Sequence, residues 1–276
     1  MGSPRHTLRC DRVGLRPNAR TTNGRDRSLK TIVCLSLLCL ATIPRVFANS
    51  APIPPRALVT TAVQHSSNWE DTFDGATGSG AAAGQTSLVQ YPSLTGSARK
   101  FLTTFTNYGG ERYWVTFGAD TASSNFVYDA WLYVASPSVA IANIEMDMNQ
   151  VMSNGQTVIY GFQCDGYSGT WDFTENAGTP QNYLNEWVHT TAKCNPRQWA
   201  TNTWHHIQIE YSRDERGNVT YKAVWFDGVI QAANATVPSA FALGWGSTLL
   251  TNFQIDGLGA SGTATVYLDK LSIYRW

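Results

Sequence analysis

The chain has 276 residues, with 20 Lys and Arg against 20 Asp and Glu, and 43% of its residues are hydrophobic. The charge is unevenly placed: residues 1–48 carry nine of the basic residues and two of the acids, so residues 49–276 carry 11 against 18, a net charge of −7. A strongly negative surface repels phosphate, which argues against nucleic acid or an anionic membrane as a partner and leaves neutral ligands.

Residues 1–48 have the pattern of a secretory signal peptide. A basic leader precedes an apolar run from Thr31 to Ile43, which is shorter than the roughly 20 residues that span a bilayer. Val46-Phe47-Ala48 then ends in a small residue where cleavage is expected. We therefore expect a protein that is secreted, periplasmic or on the cell surface, with no membrane attachment after cleavage. The alternative is an uncleaved membrane anchor, because the leader is long and Arg45 lies close to the cut.

Residues 49–67 contain Pro52, Pro54 and Pro55 without apolar periodicity, which predicts a flexible, extended tether. Residues 68–276 alternate polar and apolar positions, and no helical stripe exceeds two turns. The predicted strands include Phe126–Val134, Val139–Met148, Thr157–Gln163, Trp204–Tyr211, Val219–Phe226, Leu250–Ile255 and Thr263–Tyr274. Asp227-Gly228 between two of them predicts a hairpin. Many strands, few helices and glycine-rich turns indicate an all-β domain, a two-sheet antiparallel jelly-roll β-sandwich.

The segment Glu145-Met-Asp-Met-Asn-Gln150 alternates as a strand should. Met146 and Met148 point to one face, whereas Glu145 and Asp147 point to the other. A bulge after Met148 would return Gln150 to the acidic face. This pattern predicts a polar ligand on that face, and the alternative is an ordinary solvated face with two carboxylates.

The spacing of this segment resembles the Glu-x-Asp-x-x-Glu strand of the retaining laminarinase and lichenase type β-glucanases, members of the concanavalin A-like lectin/glucanase superfamily. The resemblance implies that Glu145 matches the nucleophile and Asp147 the supporting acid. The acid/base position holds Gln150, whose amide has no proton to donate at pH 7.

The resemblance to this superfamily extends along the chain from about residue 124 to 276. Segments Trp204–Tyr211, Tyr221–Gly228 and Val266–Trp276 resemble strands of laminin-G-like and concanavalin A-like domains, and the narrower likeness is to secreted bacterial lectin-like domains. This fold hosts lectins, hydrolases and lyases, so the resemblance implies a fold more than a function.

Aromatic and amide side chains complete the predicted site. Gln163 ends the next strand and is expected beside the acids, with a simple polar strand end as the alternative. The chain has ten tryptophans, and burying all of them would require a partner for every indole N–H. Sugars stack on such rings while their hydroxyls bond to carboxylates and amides. Trp171, in a predicted glycine-rich loop over residues 165–172, is the preferred stacking residue, and a core tryptophan is the alternative. Trp204 and His206 share one face of a strand, and an exposed sheet histidine is the alternative for His206.

Two of the five cysteines, Cys164 and Cys194, remain after residues 1–48 are removed. In an exported protein this pair predicts one disulfide, and a metal pair or free thiols are the alternatives. No cofactor is expected. A structural Ca²⁺ at the sheet rim, bound by Asp71, Asp74 or Asp269, is an option only by analogy with the superfamily.

Together these features predict a secreted, non-catalytic, lectin-like domain that binds a polysaccharide or oligosaccharide. The predicted carbohydrate-binding residues are Glu145, Asp147, Gln150, Gln163, Trp171, Trp204 and His206. The first alternative is a β-glucanase-like hydrolase or polysaccharide lyase on the same groove, with catalytic residues Glu145, Asp147 and His206. The second alternative is a cell-surface interaction protein without a sugar site.

Overall fold

The computed structural model describes residues 50–74 and 80–276, so the predicted signal peptide lies outside the described residues. The strands are β1 (Leu58–Thr60), β2 (Glu70–Asp74), β3 (Gly80–Val89), β4 (Ala98–Asn107), β5 (Gly110–Gly118), β6 (Asn125–Val134), β7 (Ile141–Val151), β8 (Thr157–Tyr160), β9 (Phe162–Asp165), β10 (Thr170–Asn176), β11 (Asn185–Lys193), β12 (Trp204–Arg213), β13 (Asn218–Phe226), β14 (Val229–Pro238), β15 (Ala240–Phe241), β16 (Leu249–Gly257) and β17 (Gly262–Arg275). Short 3-10 helices occupy Val63–His65 and Pro196–Gln198.

The strands form two sheets in which every pairing is antiparallel. The eight-stranded sheet has the order β14-β13-β12-β6-β17-β4-β3, and β1 pairs with β17 at its side. The nine-stranded sheet has the order β11-β10-β9-β7-β16-β5-β2, with β8 beside β7 and β15 beside β8. Consecutive strands change sheet at β4 to β5, β6 to β7 and β16 to β17, as expected in a jelly roll. The predicted all-β, two-sheet antiparallel fold is confirmed.

An aromatic core fills the space between the sheets. Phe101 of one sheet stacks on Phe253 of the other with ring centroids 4.7 Å apart, and Tyr160 stacks on Tyr211 at 4.9 Å. These inward positions alternate with outward ones along each strand. Whether a residue stands at an odd or an even position along its strand, which we call its parity, therefore decides whether its side chain faces the core or solvent.

The predicted strands are present, with one of them divided. The segment Thr157–Gln163 forms β8 and β9, separated at Gly161. Gly161 lies so close to Thr174 that an added Cβ would be 2.5 Å from its Oγ1. The predicted hairpin joins β13 to β14, and Asp227 and Gly228 take φ angles of 50° and 78°, the left-handed pair that a two-residue turn requires.

The segment expected to be a flexible tether packs on the eight-stranded sheet within residues 50–67, so that expectation is corrected. Leu58 pairs with Arg275, and Val63 is 1% exposed. The side chain of Gln64 donates to Asp269 at 3.1 Å and accepts from the Leu271 N–H at 3.0 Å. The sequence did not indicate this packing, because β1 has only three residues and the segment is held partly by the buried amide of Gln64. Neither feature produces an apolar periodicity.

The predicted disulfide is confirmed. Cys164 and Cys194 are bonded, with Cα atoms 5.3 Å apart, and the bond ties β9 to the segment after β11. Within the part of the chain that the structure describes, no helix has the length and apolarity needed to cross a membrane.

Candidate functional site

The outer face of the nine-stranded sheet, the face turned away from the core, carries Glu145 and Asp147. Their neighbours in β7, Met146 and Met148, are fully buried in the core cluster, so the acids point to the opposite side. Both acids are nonetheless only 7% exposed, because polar side chains of adjacent strands crowd against them. The two carboxylates therefore belong to a packed polar layer and not to a freely solvated surface.

Strand register aligns a row of polar side chains across this outer face. Each member lies opposite the next on an adjacent strand: Arg112, Gln254, Glu145, Gln163, Asp172 and His189. The row crosses six strands from β5 to β11, and it could not be read from a sequence in which these residues are far apart.

One amide connects three carboxylates in the middle of the row. Gln254 Nε2 lies 2.9 Å from Glu145 Oε1 and 3.0 Å from both Asp74 Oδ2 and Asp256 Oδ1. Arg112 approaches the same group, since its guanidinium donates to Asp74 at 2.8 Å and to Gln254 Oε1 at 3.1 Å. We call Asp74, Glu145, Asp147 and Asp256 the acid cluster.

Burial raises the pKa values of three carboxyl groups in the acid cluster. Desolvation, followed by the charges of Asp147, Asp256 and Asp74, raises the pKa of Glu145 well above its ordinary value. Desolvation raises the pKa of Asp147 to about 7, against the hydrogen bond from the Phe162 N–H at 3.0 Å. Desolvation likewise raises the pKa of Asp256 to about 7. The buried acids therefore keep their protons to a higher pH than exposed carboxylates do, and a carboxyl group that holds a proton can donate a hydrogen bond.

Gln150 does not belong to this face, which corrects its predicted role. The pairing of β7 with β16 continues without a bulge from Met148 to Gln150, so Gln150 shares the inward parity of Met148. Its side chain is fully buried and accepts from Tyr160 Oη at 2.9 Å and from Arg213 Nε at 2.7 Å. Gln150 thus holds the C-terminal end of β7 in place from the core side and has no access to a ligand on the outer face.

Trp171 is also misplaced by the sequence prediction, since it lies in the core. It is 0% exposed, lies opposite Cys164 in β9, and stacks on Phe162 with centroids 5.5 Å apart. The predicted loop around it ends earlier than expected, because β10 already begins at Thr170. In this strand Asp172, and not Trp171, has the outward parity.

Trp204 and His206 lie on the opposite side of the molecule, so the predicted single groove is corrected. Both belong to β12 of the eight-stranded sheet. His206 Nε2 lies 2.8 Å from Asp129 Oδ1, and its ring stacks on Trp131 with centroids 4.6 Å apart. His206, Asp129 and Trp131 border a separate cavity of about 530 Å³. A lyase mechanism that combines His206 with Glu145 is therefore excluded by position.

Two tryptophans that the prediction did not select form a cleft on the outer face of the nine-stranded sheet. The tryptophan cleft has a volume of about 580 Å³ and is lined by Trp114, Trp245, Arg112, Asn252 and Thr248 among others. Trp245 is 41% exposed. Asn252 lies opposite Trp114 on one side and Asp147 on the other, so the cleft adjoins the acid cluster. Two features of the sequence could have indicated these tryptophans: the alternation of inward and outward positions around Trp114, and the glycines on either side of Trp245 in the Gly244-Trp-Gly246 loop.

The acids considered for calcium do not come together. Asp71 and Asp74 lie on β2 of the nine-stranded sheet, whereas Asp269 lies on β17 of the other sheet. Asp269 is fully buried, and its oxygens accept hydrogen bonds from Ser93, Thr95 and nearby backbone N–H groups. The described residues instead bring together one other group with metal-ligating atoms, formed by Asp165, Asp172 and His189.

The fold and the outer face define an antiparallel β-sandwich with a polar and aromatic cleft on one sheet. No family model matches the sequence, and no curated protein matches it. Among solved structures, arcelin-5, a lectin-like defence protein from Phaseolus vulgaris, is similar with a TM-score of 0.41 and 14% identity, over 75% of this chain and 98% of that one.

Two further solved structures show the same level of similarity. An alginate lyase from Chlorella virus has a TM-score of 0.42 and 8% identity, over 73% of this chain and 94% of that one. A structure of carbohydrate-binding modules from the β-sandwich superfamily has a TM-score of 0.39 and 10% identity, over 74% of this chain and 55% of that one. This chain thus spans about half of that last structure. Similarities with such TM-scores and identities assign no function to this chain.

Proposed function

We propose that this protein is an exported, non-catalytic carbohydrate-binding domain that holds a neutral glycan chain in the tryptophan cleft. The observation that carries the proposal is one cavity lined by Trp114 and Trp245 together with Arg112 and Asn252. Indole rings accept the apolar C–H faces of sugar rings, and amide and guanidinium groups bond to the hydroxyls. The disulfide and the predicted signal peptide support export.

The acid cluster extends the proposed site at one side of the cleft. Asn252 lies between Trp114 and Asp147 on the neighbouring strands, so the next hydroxyls of a sugar stacked on Trp114 would lie near the acid cluster. Carboxylic acids that hold a proton donate as well as accept, which suits hydroxyl groups. The net charge of −7 over residues 49–276 favours a neutral glycan over an anionic one.

A glycan array followed by calorimetry on one neutral oligosaccharide tests this proposal. Trp114→Ala and Trp245→Ala should each weaken binding about tenfold or more, since a lost stacking ring removes roughly 1.5–3 kcal/mol and about 1.4 kcal/mol is a factor of ten. Trp131→Ala, which removes a half-buried indole from the opposite sheet, is the matched control and should leave the affinity unchanged. Full binding by both cleft variants would exclude the cleft, and an absence of any glycan ligand would favour an interaction protein.

A second candidate, glycan hydrolysis, is favoured by the raised pKa of Glu145, because a carboxyl group that keeps its proton to a higher pH can protonate a leaving group. Against it, the position that matches the glucanase acid/base is Gln150, whose amide faces the core. We therefore expect no new reducing ends when a bound glycan is incubated with the protein. Turnover that Glu145→Gln abolishes would replace the binding proposal with an enzymatic one.

A further inference from the structure

A second polar group, formed by Asp165, Asp172 and His189, lies on the outer face beyond the acid cluster. One ligating atom from each residue lies within 4.8 Å of the other two. The three residues come from the neighbouring strands β9, β10 and β11, and Asp172 lies directly opposite His189. Rigid strands on both sides therefore fix the arrangement, and no loop has to move to assemble it.

Gln163 adds an independent observation that points to a ligand at this group. It lies opposite Asp172 and two residues before Asp165, on the same face of the sheet. Gln163 is only 3% exposed, and its Oε1 is buried without a hydrogen-bond partner among the residues that the structure describes. A buried carbonyl oxygen without a partner is destabilising. A cation bound between these strands would give that oxygen a partner.

The geometry of the group fits a bound ion. His189 Nδ1 and Asp172 Oδ2 are 2.8 Å apart, and two ligands at about 2.1 Å from one ion have that separation at an angle of roughly 85°, near the right angle of octahedral coordination. The three ligating atoms all lie within 4.8 Å of one another, and opposite ligands at about 2.1 Å from one ion are roughly 4.2 Å apart. The side chain of His189 is 62% exposed and its described polar contact is with Asp172, so a small rotation of the ring can adjust its nitrogen to an ion.

The loop after β9 orients one of the carboxylates. Asp165 Oδ1 accepts from the Tyr167 N–H at 2.7 Å, and Asp165 Oδ2 accepts from the Ser168 N–H at 3.2 Å. Asp172 Oδ1 accepts from Thr170 Oγ1 at 2.7 Å. Hydrogen bonds to ligating carboxylates are the usual support of a metal site, because they hold the oxygens in place while leaving a lone pair for the ion.

We propose that Asp165, Asp172 and His189, with Gln163 Oε1 as a fourth ligand, bind a divalent transition-metal ion. An imidazole nitrogen combined with three oxygens favours Zn²⁺ or Mn²⁺ over Ca²⁺ and Mg²⁺, which prefer oxygen alone. The exposed His189 gives the ion a route from solvent. The site is independent of the proposed glycan cleft, since none of its four residues lines that cleft.

Calorimetry with the metal ion alone tests the proposal on disulfide-intact, chelator-treated protein. Titration with Zn²⁺ and Mn²⁺ should show one ion bound per chain and should raise the melting temperature, whereas Ca²⁺ and Mg²⁺ should bind at least tenfold more weakly. His189→Ala and Asp165→Asn should each lower the Zn²⁺ affinity at least tenfold. Mn²⁺ electron paramagnetic resonance reports whether an imidazole ligand is present and is lost in His189→Ala.

His206→Gln is the matched control, because His206 and Asp129 form a histidine-carboxylate contact of the same 2.8 Å length on the opposite sheet. This variant should keep the full Zn²⁺ affinity. Because His189 is exposed, His189→Ala should remain folded, and its melting temperature without metal verifies this. An absence of heat at millimolar metal, or equal affinity in His189→Ala and the unmodified protein, would overturn the proposal whatever the outcome of the glycan measurements.

Discussion

Replacing Asp256 by Asn should stabilise the protein at alkaline pH and change little at acidic pH. Burial, followed by the nearby charge of Asp74, raises the pKa of Asp256 from 3.8 to about 7, although the hydrogen bond from Gln254 opposes the shift. A carboxyl whose pKa is raised on folding favours the folded state most below its unfolded pKa. That contribution is lost as the pH rises from about 4 through 7, since the unfolded chain gives up a proton that the folded chain retains.

The magnitude follows from the size of the shift. A rise from 3.8 to about 7 corresponds to at most about 4 kcal/mol at 1.36 kcal/mol per pKa unit. Asn keeps the oxygen that accepts from Gln254 Nε2 at 3.0 Å, so the substitution removes the ionisation with little change in packing. We expect Asp256→Asn to be more stable than the unmodified protein at pH 8, by up to about 4 kcal/mol, and nearly equal to it at pH 4.

Urea unfolding at pH 4, 6 and 8 measures this difference, provided that both proteins show the same dependence on urea concentration. Glu186→Gln, which neutralises an exposed carboxylate on β11, is the control and should show no comparable pH-dependent gain. A stability difference that is the same at all three pH values would refute the electrostatic reasoning. So would a variant that is less stable than the unmodified protein at pH 8.

The remaining predictions concern the core and the disulfide. Replacing Cys164 and Cys194 by Ser should destabilise the fold by about 3–4 kcal/mol in urea unfolding, because a cross-link with a sequence separation of 30 no longer restricts the unfolded chain. Gln150→Glu should create no glucan hydrolysis in a reducing-end assay. It should destabilise the protein by about 2–5 kcal/mol in urea unfolding, since the donor Nε2 disappears and its two backbone carbonyl partners lose their hydrogen bonds. Trp171→Ala should lower stability by about 3–5 kcal/mol, measured in the same way, because it empties a fully buried indole site.

Strand positions were predictable because alternation is a local property. The pattern around Glu145 correctly separates inward Met146 and Met148 from outward acids. The hairpin at Asp227-Gly228 was also predictable, because this pair of residues readily adopts the two left-handed conformations that a two-residue turn requires. The disulfide followed from the two cysteines left after the leader.

The composition of the site was less predictable, because it depends on register between distant strands. Gln254 bridges Glu145 and Asp74, from which it is separated by 109 and 180 residues along the chain, and nothing local to any of the three reveals the contact. Gln150 was placed on the wrong face because its predicted position required a bulge after Met148, where β7 pairs with β16 in regular register. Trp171 was taken for a loop residue because β10 begins directly after a glycine-rich turn.

The amide of Gln254 explains how three carboxylates share one buried region. A further acid at its position would add charge to a place where burial already raises the pKa of Asp147 and Asp256 to about 7. An amide instead gives its hydrogens to the carboxylates and its oxygen to Arg112 at 3.1 Å. The cluster can therefore remain buried with fewer charges than its composition suggests, and as the pH rises above 7 it gains charge and loses donors. Glycan binding that uses those donors should weaken over the same pH range, whereas stacking on Trp245 should not.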